Sequence, residues 1–174
     1  MTGPRHPTQR PSRPRVFVDA DVLFAGAASP SEHSASLVLL RLAEITLIEA
    51  LASQQVIVEA ERNLADKLPQ ALPAFRLLAS RCLRVVPDPH AAELAPHAGL
   101  AHPKDLPILV AAIREQCPWL VTGQTVGANG PPASCRHDVR HFRPGHPTVT
   151  VLRPGAFILR VRDLLAQLEP EWKS

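Results

Sequence analysis

The chain has 174 residues, 45% of them hydrophobic and 20% charged, which is enough apolar material for one domain with a real core. No uninterrupted apolar run approaches the ~20 residues of a membrane helix. The formal charge is +3, but Arg5, Arg10, Arg13 and Arg15 all precede the first acid, so the remaining 15 basic residues face 16 acids and the body is slightly negative. Residues 1–14 are rich in Pro, Thr and Ser and read as a disordered basic leader rather than as core.

Residues 15–19 form the first expected strand, Val16-Phe17-Val18 running into Asp19-Ala20-Asp21 and then a second apolar stretch, Val22-Leu23-Phe24-Ala25. With basic residues before it and Ala-Gly-Ala-Ala-Ser at its end, this region imitates a secretory leader. The two acids in its middle argue against that, so a cytoplasmic location is the expectation. Helical spacing over residues 34–47, a short strand at 47–50 and a helix at 54–68 ended by Pro69 follow. Pro73 opens another helix, and Leu83-Arg84-Val85-Val86 before Pro87 is a compact strand. After a polar connection with a short helix near residue 93, Asp105-Leu106-Pro107 starts a helix that Pro118 closes beyond Cys117. Strands at residues 119–122 and 149–152 and a helix over 154–168 complete the pattern. Strands alternating with helices predict an α/β fold, a mainly parallel sheet covered on both faces.

A carboxylate at the end of a buried strand is costly unless it binds a cation or caps a helix. Four places put acids where strand ends and helix starts converge: Asp19 with Asp21, Glu59, Asp105 and Asp138. Such clusters suit Mg²⁺ or Mn²⁺, which prefer oxygen ligands and support phosphodiester hydrolysis. Each acid has a plainer reading: Asp19 and Asp105 as helix caps, Asp138 as a loop acid among Arg136, Arg140 and Arg143. On a helix whose buried stripe is Ile57, Ala60 and Leu64, Glu59 and Glu61 lie on opposite flanks, and helical geometry does not choose between them.

The motifs Val16-Phe17-Val18-Asp19-Ala20-Asp21-Val22-Leu23-Phe24, Glu59-Ala60-Glu61-Arg62-Asn63-Leu64, His102-Pro103-Lys104-Asp105-Leu106-Pro107-Ile108-Leu109 and Leu120-Val121-Thr122-Gly123 stand in order, before a closing Leu152-Arg153-Pro154-Gly155-Ala156-Phe157. Together they resemble the PIN-domain nucleases over about residues 15–159. The resemblance implies a three-layer α/β/α domain over residues 15–169 and a Mg²⁺- or Mn²⁺-dependent endoribonuclease similar to toxins of bacterial toxin–antitoxin pairs. It selects Glu59 over Glu61 and implies Asp19, Glu59, Asp105 and Asp138 as catalytic metal ligands, an RNA substrate, an antitoxin partner and a homodimer.

The chain departs from the family at Asp21, where Asn or a small polar residue is usual, and at His102, where Asp is common. After Thr122-Gly123 it carries Gln124 in place of Asp. Asp138-Val139-Arg140-His141-Phe142 matches the way the family continues, so residues 124–137 read as an insertion and Asp138 recovers the role. A degenerate site, leaving a nucleic-acid or protein-binding module, is the alternative; a structure-selective DNA nuclease using the same acids is another.

Other chemistries find little support. Cys82, Cys117 and Cys135 are widely spaced, with no C-x-x-C pair, and read as reduced thiols. Cys135, His137, His141 and His146 lack a second ligand cluster for zinc. Gly123, Gly127 and Gly130 precede no Gly-Lys-Ser/Thr, and no G-x-S-x-G is present. Five Phe, two Trp and no Tyr give no base-stacking platform.

Overall fold

A computed structural model describes residues 13–123 and 148–168. The strands β1 (Arg15–Val18), β2 (Glu49–Ser53), β3 (Leu83–Val86), β4 (Trp119–Val121) and β5 (Thr150–Leu152) form one parallel sheet in the order β3-β2-β1-β4-β5. Around it lie α1 (Ala20–Ala28), α2 (Ala35–Glu44), α3 (Gln54–Lys67), α4 (Leu72–Cys82), α5 (Ala91–Leu94), α6 (Leu106–Arg114) and α7 (Pro154–Leu168). The expected three-layer α/β/α architecture is the observed one.

The centre of the sheet goes to the strand whose sequence tolerates no water. Val16, Phe17 and Val18 are fully buried, as a strand covered on both faces must be. From β1 the chain winds outward through β2 to β3, then returns across the sheet to β4 on the other side of β1. The right-handed crossover rule therefore sends α1–α4 to one face and α5–α6 to the other. The winding reverses at β1, which opens a crevice at the carboxyl ends of β1 and β4, where ligands bind in sheets of this kind. On the α1 face, Gly26 lets α1 approach α2 closely: a Cβ there would sit 2.7 Å from Cδ1 of the buried Leu40.

Three boundaries differ from expectation, each for a local reason. The helix α2 ends at Glu44, and β2 starts at Glu49, two residues later than its sequence implied. Thr46 takes a left-handed conformation (φ 63°), its N–H donates to the Ala43 carbonyl and that of Leu47 to the Leu42 carbonyl, so Leu47 closes the helix instead of opening the strand. The same device ends α6 at Arg114, short of Cys117: Gln116 has φ 54°, and the Gln116 and Cys117 amides donate to Ile113 and Ala112. Glycine is the usual residue at such a position, and neither segment has one.

Candidate active site

Parallel register builds the site. Val18 pairs with Val121, so the residues that follow, Asp19 and Thr122, leave the sheet side by side. The Asp19 amide donates to the Val121 carbonyl at 3.0 Å, which holds its backbone extended (φ −83°, ψ 160°) as the chain turns into α1. Its carboxylate spans the junction: Oδ1 accepts from the Ala20 amide at 2.6 Å, and Oδ2 accepts from the Thr122 hydroxyl at 2.8 Å. The cap reading of Asp19 is thus correct, and it consumes one oxygen only.

The electrostatics are those of an acid short of positive charge. Burial pushes the Asp19 carboxyl up from 3.8 to about 6, despite the hydrogen bond from Thr122. The negative charge of Asp21 and, less strongly, of Asp105 adds to the rise, and the Ala20 amide opposes it. Among the described residues, the groups that act most strongly on Asp19 are neutral donors and other carboxylates. Asp21 lies in the first turn of α1 against Gly123, where a Cβ would fall 3.2 Å from that of Asp21 and 3.3 Å from its backbone carbon. A side chain here would push the end of β4 and the start of α1 apart by a few tenths of an ångström.

Asp105 precedes α6 but makes no side-chain capping hydrogen bond to it, unlike the cap that its sequence allowed. The turn before it is organised by His102, whose carbonyl accepts from the Asp105 and Leu106 amides and whose Nδ1 accepts from the Lys104 amide at 3.3 Å. A side-chain acceptor at this position serves the turn, which gives His102 a physical role where the family more often has Asp.

The two acids of α3 part company. Glu59, largely buried, meets Lys104 with Nζ 3.5 Å from Oε1. Glu61 is held by Arg76 of α4 through two contacts, 2.8 and 3.2 Å. Glu59 therefore reaches the turn that carries Asp105, while Glu61 fastens two helices together. Asp138 and the segment 124–137, with Gln124, Cys135, Arg136 and His137, lie outside the described residues, as do Arg140, His141, Arg143 and His146. Among the described residues, no three Asp, Glu, His or Cys side chains stand together as a metal-holding group.

The donors present are oxygen atoms of carboxylates and a hydroxyl, whereas the buried Cys82 and Cys117 have thiols pushed up to about 11 and about 12, chiefly by burial. Carboxylate and hydroxyl oxygens are hard donors, which suit Mg²⁺ or Mn²⁺ and do not suit a soft metal. Sequence reasoning missed two contributors, Thr122 and Lys104. Thr122 was within reach of inference, because the residues after two paired parallel strands must be neighbours.

Thr122 is 3% exposed, so replacing it by the isosteric valine strips a hydrogen-bond donor from the Asp19 carboxylate at a point that water hardly reaches. Thr122→Val is expected to lose ~1.5–3 kcal/mol of stability at neutral pH, read from urea unfolding, and less at about pH 4, where Asp19 is mostly protonated.

The PIN domain family matches residues 15–125 of the chain. No curated protein matches it. Among solved structures it is similar to that of VapBC2 from Rickettsia felis bound to a DNA fragment from their promoter, at 15% identity and a TM-score of 0.51, covering 80% of this chain and 98% of that one. It also resembles VapC20 of Mycobacterium tuberculosis, a Sarcin-Ricin loop cleaving toxin, at 16% identity and a TM-score of 0.45, covering 76% and 99%. With a match across more than half of its length, and a parallel α/β sheet of the expected topology, the chain belongs to the PIN domain family.

Proposed function

We propose that this PIN domain is a Mg²⁺- or Mn²⁺-dependent endoribonuclease, acting in the cytoplasm as the toxin of a toxin–antitoxin pair. The observation that carries the reading is Asp19: a carboxylate enclosed at the reversal point of the sheet, with Asp21 and Asp105 as its charged neighbours. A resident enzyme site explains why an acid is kept where burial penalises it. Asp19 and Asp105 would hold the cation, with Glu59 and Asp138 completing the set. When bound, a divalent ion supplies water activation and screening of phosphate charge.

The chain's own contribution is positional. Thr122 fixes one oxygen of Asp19, the Ala20 amide fixes the other, and the His102 turn sets Asp105. Arg136, Arg140 and Arg143 would neutralise the phosphates flanking the scissile bond. Among the described residues no helix is long and apolar enough to cross a membrane. The likeness to VapBC2, solved on promoter DNA, supports an antitoxin as partner; a homodimer is what the family resemblance implies.

A second reading, a binding module without catalysis, draws on the fact that no three metal-ligating side chains stand together among the described residues. Digestion of single-stranded RNA, flap DNA and duplex DNA with Mg²⁺ or Mn²⁺ separates the readings. The nuclease reading expects RNA to be cut in an ion-dependent way and the DNA substrates to survive. Binding of RNA without cleavage under both ions favours the module, and preferential cutting of flap DNA favours a DNA nuclease.

A further inference from the structure

We propose that Lys104 occupies the Glu59 carboxylate when no divalent cation is bound and competes with the cation for it. This inference rests on the metal-dependent reading of the same site. The observation behind it is the pairing of Glu59 with an ammonium group carried one residue before Asp105. One proposed ligand thus lies next in sequence to the cation that occupies another.

The contact is built to be given up. Lys104 Nζ stands 3.5 Å from a single oxygen of Glu59, and the lysine side chain is 69% exposed while that of Glu59 is 20% exposed. An exposed ammonium returns to water at little cost, so an ion pair of this kind is weak. The neighbouring pair on the same helix shows the contrast: Arg76 grips Glu61 through two nitrogens on two oxygens, the geometry of a structural tie. Lys104 makes one contact, on a backbone fixed by the His102 side chain. Its base stays in place while its charged end can leave.

The sign of the effect follows. Removing the ammonium frees a carboxylate and deletes a positive charge beside the site, and both changes favour a divalent cation. A purely structural tie predicts the reverse, because its loss lets Glu59 wander.

The test is Mn²⁺ binding to the full chain, read by electron paramagnetic resonance, for wild type, Lys104→Met, Lys104→Gln and Lys104→Arg, with folding checked by circular dichroism. Lys104→Met and Lys104→Gln are expected to bind Mn²⁺ about two- to fivefold tighter at low ionic strength, with the gain shrinking as salt is added. Lys104→Arg, which keeps the charge, is expected to bind as the wild type does. Unchanged or weaker binding in both neutral variants, alongside a wild type that binds, overturns the role of Lys104 alone. A wild type that binds no Mn²⁺ overturns the metal-dependent reading and this inference with it.

Discussion

Asp19→Asn is expected to abolish RNA cleavage and at the same time to make the protein more stable at neutral pH. Both results come from one carboxylate. Asn keeps the hydrogen-bonding frame, since its oxygen accepts from the Ala20 amide and its NH₂ donates to the Thr122 hydroxyl, and it is a good helix cap. What it loses is charge. If that charge holds the cation, several kcal/mol of transition-state stabilisation go with it, roughly a 10²- to 10⁴-fold drop in rate.

The stability gain follows from the same carboxyl. Its folded value of about 6 lies above the ordinary 3.8, so between those two pH values the folded chain binds more protons than the unfolded one. Wild-type stability therefore falls as pH rises through that window, and the full penalty, at most ~3 kcal/mol and less because Asp19 keeps some contact with water, is present at neutral pH. Asn carries no such penalty. Urea unfolding with chelator present should show the two proteins equal below about pH 4 and the variant ahead above pH 6. A variant that cleaves RNA like the wild type removes Asp19 from catalysis. A variant less stable than the wild type at neutral pH means that the carboxylate has a stabilising partner.

How much of this was legible beforehand depends on whether the cause was local. All five strands were readable, because short apolar runs bounded by Pro or polar residues have few other fates in an alternating chain. The helix α3 was readable almost to the residue, since Pro69 cannot continue it. The ends of α2 and α6 were not, because Thr46 and Gln116 adopt a left-handed conformation that their side chains do not announce. Asp19 stood out as an acid at the mouth of a buried strand, and Asp105 as one at a helix start. Glu59 and Glu61 could not be told apart along one helix: what separates them is Lys104 on one side and Arg76 on the other, both tertiary neighbours. The assignment of the fourth acid to Asp138 rather than Gln124 concerns residues outside those described and stays a proposal.

Mn²⁺ is expected to raise the melting temperature of the wild type at about pH 7.5 by ~5–10 °C and to do so far less at about pH 5. An ion present at 100 times its dissociation constant stabilises the folded state by ~2.7 kcal/mol, and a domain of this size gains ~2–4 °C for each kcal/mol. The pH dependence comes from competition between the cation and a proton at Asp19, whose carboxyl titrates at about 6. Above that value the carboxylate is charged and pays for its burial, so a cation relieves a penalty as well as making new bonds. Below it the proton has already relieved the penalty, and the ion must displace it. Asp19→Asn offers no charge at either pH, so its melting temperature should not respond to Mn²⁺. If the variant responds as the wild type does, the ion binds elsewhere on the chain and the crevice at β1 and β4 is not its site. If the wild type responds equally at both pH values, Asp19 does not exchange a proton for the cation, and the charge shortage around it has another purpose.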